Sequence, residues 1–388
     1  MKKSTIAILS LIMFINALSI GLIIPLLYPL ATQFGLSPLG LSVLFTSFSI
    51  AQFFATPVLG KLSDRYGRKP ILLICLAGTA VAFSLMATAQ TVVWLFAARI
   101  FDGITGGNMS VANAVVADSS TKEERPKAYG FLGASFGFGF LLGPAIGGAL
   151  SNFSIQTPFW FASALSVAGV IFGFFALKES NEHKTSSQFS LKEYFHFARP
   201  FSSLKKPFVG SLILITLLVS MAHNGMIIGF QTYTVDVLKL TPSQIGWFFT
   251  GFASVSILMQ VMGIKYLLKK FDDKLKILLG ALIFMSVGMV ISYLSDSFWP
   301  FFVSIIIYGS MSSLREPMLQ SLLSENTTAD KQGKLLGINQ SYTSLGQIVG
   351  PLIAGLISTV NLSYIFLVSA IYIAGAFVVG LLIKRPKL

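Results

Sequence analysis

The sequence predicts an all-α membrane protein: twelve transmembrane helices in two six-helix bundles that repeat in parallel. Three observations carry that expectation. The 388 residues are 54% hydrophobic and only 11% charged, with a mean hydropathy of +0.76, whereas a soluble domain averages about 25% charged residues. Apolar runs of roughly 20 residues or more, long enough to cross a hydrocarbon core, recur along the whole chain. Glycines also recur at an offset of 207 residues between the two halves.

In chain order, the apolar runs of the first half lie near 5–31, 38–61, 70–90, 92–117, 127–151 and 157–177. Those of the second half lie near 208–231, 242–265, 275–294, 298–323, 333–358 and 361–383. The first run follows Lys2 and Lys3 as the core of a signal peptide would. It is too long for that, contains Pro25 and Pro29 and lacks a small-x-small cleavage site, so it is read as an uncleaved first span. The longest polar stretch, "KESNEHKTSSQFSLKEYFHFARPFSSLKKP", divides six spans from six. This gives an N-terminal bundle over 1–178, a cytoplasmic linker over 179–207 and a C-terminal bundle over 208–388. The middle of the linker, 190–198, mixes apolar and charged residues, which suits either a flexible segment or a short helix lying on the inner leaflet.

The repeat pairs Gly130 with Gly337, Gly139 with Gly346, Gly143–Pro144 with Gly350–Pro351, Gly148 with Gly355 and Gly173 with Gly380. Because six is even, both halves share one orientation. Parallel repeats of this kind place substrate sites at the repeat interface near the midplane.

The net charge of +13 follows the same topology. With the N-terminus inside, 25 of the 28 Lys and Arg fall on one side of the membrane. Lys239 alone lies on the other side, and Arg99 and Arg315 lie within spans. This positive-inside asymmetry places both termini in the cytoplasm, in a multi-pass protein of the inner (cytoplasmic) membrane. The basic excess then serves topology and attraction to anionic lipid, and implies no nucleic-acid partner. The single Cys75, within the third run, excludes an intramolecular disulfide.

Catalytic signatures are missing. "GASFG" (133–137) fits G-x-S-x-G but lies within a membrane helix with no preceding strand, and HExxH, CxxC and GxxxxGK[ST] do not occur. No enzyme activity and no metal site are expected.

Between runs 2 and 3, "GKLSDRYGRKP" (60–70) sets one acid among four cations and two glycines. Gly60 would permit close helix approach and Gly67 a tight turn. A positive-inside loop alone would explain the cations but not this spacing. It matches the G-x-L-x-D-R-x-G-R-[RK] signature of the major facilitator superfamily, at the place where that family has it. "GFGFLLGPAIGG" (137–148) resembles the fifth-span motif of the superfamily's drug/proton antiporters, with Gly139, Gly143, Pro144, Gly147 and Gly148 as its packing set. Pro144 is expected to kink that helix. The second half keeps "GPLIAG" at the equivalent place. Arg99-x-x-x-Gly103 in "LFAARIFDGITGGN" (95–108) resembles the fourth-span motif of the same antiporters, where an arginine is associated with proton transfer. With "SIGLIIP" and "RIFDGITGGNMSVANAVVAD", residues 10–180 look like the tetracycline-exporter branch. The second half matches mainly in hydropathy and its Gly-Pro.

The resemblance implies a major facilitator fold that exports an amphiphilic small molecule in exchange for protons. The proton gradient is then the energy source, and no cofactor is needed. The implied partners are the substrate, protons and membrane lipids, and the chain is expected to be a monomer. The resemblance also implies a charge cluster of Asp64, Arg68 and Asp118 that latches the outward-open state. Two departures mark this chain. Tetracycline exporters carry an acid in span 1 where Asn16 stands, and Asp102 stands where their motif is neutral. The same scaffold would also suit an exporter of one endogenous metabolite or siderophore. A reading of another class is a non-transporting signalling or lipid-handling membrane protein.

Of fifteen acids, only Asp102 and Glu316 fall well inside runs, each with an arginine nearby: Arg99 three residues before the first and Arg315 next to the second. Residues three apart share a helix face, so Arg99 and Asp102 can pair. Charges at such depth cost at least ~2.5 kcal/mol each and normally face a partner or a cavity. The pair is therefore either packing alone or a titratable acid beside a permanent cation. On the second reading Asp102 is the main proton carrier, Arg99 its tuner, and Glu316, beside Arg315, a substrate-side or second proton site. At ~1.5 Å per residue, Asp102 lies roughly 15 Å below the outer end of its span and Glu316 roughly 13 Å from Glu325. The 207-residue offset sets Glu316 opposite Met109, so the two acids are not symmetry mates. Candidate cavity residues are Asn16, Asn108, His223, Gln231 and Gln320. His223 either bonds across helices, or lines the cavity or carries a proton.

Overall fold

A computed structural model describes residues 3–121, 124–181, 207–271, 273–327 and 329–383. Among these residues all the regular secondary structure is helical, without strands. Most of the linker lies outside them, as do Lys384, Arg385 and Lys387, so the two expectations for 190–198 fall outside the described residues.

The first half contains α1 (Lys3–Ile23), a single 3-10 turn (Ile24–Leu26), α2 (Leu27–Thr32), α3 (Pro38–Tyr66) and α4 (Arg68–Ala87). It continues with α5 (Val92–Thr105), α6 (Asn108–Ser119), α7 (Arg125–Leu150) and α8 (Thr157–Ala176). The second half contains α9 (Pro207–Asp236), α10 (Pro242–Leu258), a π turn (Met259–Gly263) and α11 (Ile264–Lys270). After these come α12 (Lys274–Leu294), α13 (Phe298–Glu325), α14 (Ala329–Ser358) and α15 (Tyr364–Leu381). The twelve apolar runs correspond to these helices in order, with runs 1, 4 and 8 each broken once. Nine spans among the described residues are long and apolar enough to cross a membrane. Large apolar side chains such as Phe138, Phe175, Trp247 and Phe284 are exposed, as a hydrocarbon solvent allows.

Local chemistry accounts for the breaks. Pro25 sits in the 3-10 turn, where its missing N–H leaves no helical bond to lose. Gly106 and Gly107 part α5 from α6, and the Gln52 side-chain amide donates to the Gly106 carbonyl at 2.9 Å, satisfying an acceptor the break sets free. Thr91 caps α5 by accepting from the Trp94 N–H at 3.3 Å, and Asp273 caps α12 by accepting from the Leu275 N–H at 2.9 Å.

By their contacts the residues form two compact units. Unit 1 is Met1–Leu36, Ser47–Tyr194 and Leu240–Thr250, and unit 2 is Ser37–Thr46, Phe195–Lys239 and Gly251–Leu388.

Within unit 1, α7 lies on α1 backbone against backbone. A Cβ added at Gly143 would fall 2.6 Å from the Gly21 Cα, one at Gly139 would strike the Phe14 carbonyl, and one at Gly147 the Leu22 carbonyl. Gly148 instead faces Ser243 and Gly246. Unit 2 repeats the arrangement: a Cβ at Gly350 would lie 2.5 Å from the Met221 carbonyl, and Gly346 abuts Ser220 and Met221. Pro144 lies inside α7, which runs on through it to Leu150. The carbonyl that Pro144 deprives of its helical donor is Phe140's. It lies 3.2 Å from where a Cβ on Gly21 would stand, on the face that packs against α1. Gly60 departs from expectation. An added Cβ there would meet nothing nearer than the Ser110 hydroxyl at 4.0 Å, and the tight contact falls at Gly107, against Leu59.

This packing predicts a contrast between two glycines of the same helix. Gly143→Ala should lower the thermal midpoint of the purified protein, in line with an overpacking penalty of about 1–3 kcal/mol. Gly130→Ala, which meets open space within 4 Å, should leave it unchanged or raise it, because alanine favours helix by up to about 1 kcal/mol. Equal midpoints for the two variants would contradict the close contact of α1 and α7.

Candidate functional site

In α5, Arg99 and Asp102 form the ion pair their spacing predicts. Arg99 Nη1 lies 2.8 Å from Asp102 Oδ2, and each residue is only 7% exposed. The guanidinium also sits over the Phe48 ring of α3, 4.0 Å from its centroid, a cation–π contact that strengthens as water is removed. Gly103 lets α3 come this near, since a Cβ there would stand 2.5 Å from the Phe48 carbonyl. Beside the pair, α3 and α5 border an open apolar groove of about 710 Å³, lined by Ser47, Ile50, Ala51, Phe54, Ala55, Val58, Leu59, Leu62, Ile100 and Ile104.

Asn16 and Asn108 also meet. The Asn108 amide donates to Asn16 Oδ1 at 3.2 Å and lies 3.4 Å from Thr79 Oγ1, forming a buried centre between α1, α4 and α6. The break at Gly106–Gly107 puts Asn108 at the first turn of α6.

At the junction of α3 and α4, Arg68 gathers the predicted acids. Its Nη1 lies 2.5 Å from Asp64 Oδ1, its Nε 2.9 Å from Asp118 Oδ2, and its Nη1 also donates to Ser63 Oγ at 2.7 Å. Gly67 has φ +113°, a conformation that a residue with a Cβ rarely adopts. Glu179, which the sequence does not mark, completes the junction. Its carboxylate accepts from the Arg68 N–H at 2.9 Å and the Lys69 N–H at 3.2 Å, capping α4. Asn181 donates to the Asp64 carbonyl at 2.8 Å.

In unit 2, His223 Nδ1 lies 3.0 Å from the Tyr308 hydroxyl, joining α9 to α13 with the rings nearly parallel. Arg315 Nη2 is 3.5 Å from Glu316 Oε2, and Gln320 donates to Glu316 Oε1 at 3.0 Å. Gln231 is only 1% exposed, and neither polar atom of its amide has a partner among the described residues. Thr216 donates to Asn339 Oδ1 at 2.7 Å, and Lys274 pairs with Glu325. Among the described residues no cluster of His, Cys, Asp or Glu could hold a metal ion.

The family model described as Major Facilitator Superfamily matches residues 9–241 and 212–388. The chain belongs to the Major Facilitator Superfamily. Within it, this facilitator is 31% identical over 363 residues to the tetracycline resistance protein, class D, of Salmonella ordonez, covering 91% of this chain and 88% of the relative. It is 29% identical over 371 residues to multidrug resistance protein 2 of Bacillus subtilis strain 168, covering 94% of this chain and 92% of the relative. These likenesses place it with the tetracycline-exporter branch. A solved bacterial homologue of the human lysosomal transporter Spinster shares the fold, with a TM-score of 0.80 at 15% identity over 97% of this chain and 95% of that one.

The part of this facilitator's site that its sequence left unmarked was brought in by residues distant along the chain. Glu179 is 111 residues from Arg68, Gln52 is 54 from Gly106, and Tyr308 is 85 from His223. The one local signal was an acid just past the end of run 6, and nothing nearby says which helix it caps. Glu179→Ala should leave two backbone donors of α4 without acceptors and cost about 1 kcal/mol locally. Hydrogen exchange should then quicken at the Arg68 and Lys69 amides while the middle of α4 stays protected. Unchanged exchange at those two amides would show that the cap contributes nothing.

Proposed function

We propose that this facilitator is a proton-coupled exporter of amphiphilic small molecules, with Asp102 as its main proton carrier. The observation that carries the reading is the buried Arg99–Asp102 pair. Burial disfavours a charged carboxylate and an adjacent arginine favours it. An acid held between the two can release its proton when water or substrate reaches it, while the arginine stays charged. Asn16 has no ionisable group, so the coupling acid in this reading lies on α5 instead of α1. The apolar groove beside the pair falls within the 300–1,000 Å³ usual for small-molecule sites and suits the hydrocarbon part of an amphiphile. The relatives, named for resistance to tetracycline and to multiple drugs, support a drug as cargo.

In this reading the protein sits in the inner membrane as a monomer, both termini in the cytoplasm and lipids around its exposed apolar faces. Energy comes from the proton gradient with no cofactor. Glu316 beside Arg315 is a second proton or substrate-side site. The Arg68 junction with Asp64 and Asp118 is the cytoplasmic gate, and Asn16, Asn108, His223, Gln231 and Gln320 contribute to the cavity.

Inverted membrane vesicles energised with a proton gradient provide the test. Addition of an exported dye should draw protons out of the vesicles with the wild type. Asp102→Asn should abolish accumulation against a gradient while the variant still reaches the membrane. If Asp102→Asn still accumulates substrate and Glu316→Gln does not, the roles of the two acids are reversed. If both accumulate it, the α5 pair is packing alone. Asp64→Asn should lower the rate of export without lowering the amount of protein in the membrane, and a normal rate would remove the gate from the account.

A further inference from the structure

The offset of 207 residues that pairs the glycines also pairs the polar centres of the two halves. It carries Asn16 to His223, Thr79 to Ser286 and Asn108 to Arg315. In unit 1 the first member of each pair belongs to one neutral hydrogen-bonding centre, built by the Asn108 amide on Asn16 and Thr79. In unit 2 the equivalent positions hold the His223 imidazole, the Ser286 hydroxyl and the Arg315 guanidinium. One half therefore has a neutral amide centre where the other has a cationic one.

The surroundings of Arg315 leave that cation incompletely matched. Its side chain is 15% exposed, and the acid nearest to it is Glu316, reached through Nη2 at 3.5 Å. Its Nε is buried with no hydrogen-bond acceptor among the described residues. Glu316 is turned further outward, with 39% of its side chain exposed, and one of its oxygens is taken by Gln320. Tyr308, Ser312 and Arg315 recur at i, i+4 and i+7 of α13 and so share one helix face. The Tyr308 hydroxyl is steadied by His223 Nδ1 of α9 at 3.0 Å. A guanidinium presents its donors as a fork that fits the two oxygens of a carboxylate, and a buried donor left unmet is costly.

We propose that Arg315, with the Tyr308 and Ser312 hydroxyls on the same face of α13, is an anion-recognising subsite that takes the carboxylate of an amphiphilic substrate. The proposal rests on the exporter reading and narrows its cargo to amphiphiles that carry an anionic group beside their apolar body. His223 acts as a positioning residue that holds Tyr308. The neutral amide centre of unit 1 carries no charge with which to recognise the same group.

The test compares rhodamine B, which carries a free carboxyl group, with its ethyl ester, which does not. Binding of each dye to the purified protein in lipid nanodiscs is read by fluorescence anisotropy. The wild type should bind the acid about tenfold more tightly than the ester, the size expected of a charge-assisted fork. In Arg315→Gln that preference should fall to about twofold or less. Arg315→Lys, which keeps the charge should the neutral variant fail to fold, should lower the preference several-fold, because a point charge cannot fork. Equal binding of the two dyes by the wild type overturns the anion subsite and leaves the exporter reading standing. So does a preference that survives unchanged in either variant. Binding of neither dye overturns the amphiphile reading and this proposal with it.

Discussion

A charge in a bilayer interior needs a partner. Removing a carboxylate or a guanidinium from water costs at least ~2.5 kcal/mol even on the mildest scale, and the features around α5 reduce that penalty. Three residues of helix bring Arg99 to Asp102 on one face. Phe48 offers the guanidinium an aromatic face, and Gly103 removes the side chain that would keep α3 away. The break at Gly106–Gly107, just past the pair, turns Asn108 into a second polar centre and is itself satisfied by Gln52. Sequence, packing and electrostatics there serve one requirement, and a proton carrier is what such a compensated acid can become.

The duplicated halves keep a common frame and differ in its polar contents. Glycines of α7 on α1 and of α14 on α9 set the same backbone contacts, because apolar helices in hydrocarbon gain little from apolar burial and rely on close packing. Chemistry varies on that frame. The Arg99–Asp102 pair has no counterpart in unit 2, where the offset finds Ile306 and Gly309. The amide centre of unit 1 is replaced there by His223 and Arg315. The two halves thus share a scaffold and carry unlike sites on it.

The helices were legible because hydrocarbon thickness dictates run length, and all twelve runs are helical. Contacts three or four residues apart were legible too, since helix geometry alone brings Arg99 to Asp102 and Asp64 to Arg68. Breaks inside runs were less so. A Gly-Gly step at 106–107 and a π turn at Met259–Gly263 leave hydropathy unchanged. The role of Glu179 could not be read from its neighbours, because its partners are the first amides of a helix that precedes it by more than a hundred residues. The Tyr308–His223 contact depends on tertiary packing in the same way.

The central claim is that the buried acid of α5 exchanges its proton as cargo binds. Purified protein in an unbuffered solution, mixed with an exported dye while a pH electrode records, tests it without membranes or gradients. The account predicts proton release on binding by the wild type, and loss of that release in Asp102→Asn while the dye still binds. Release of the same size from Asp102→Asn would contradict it.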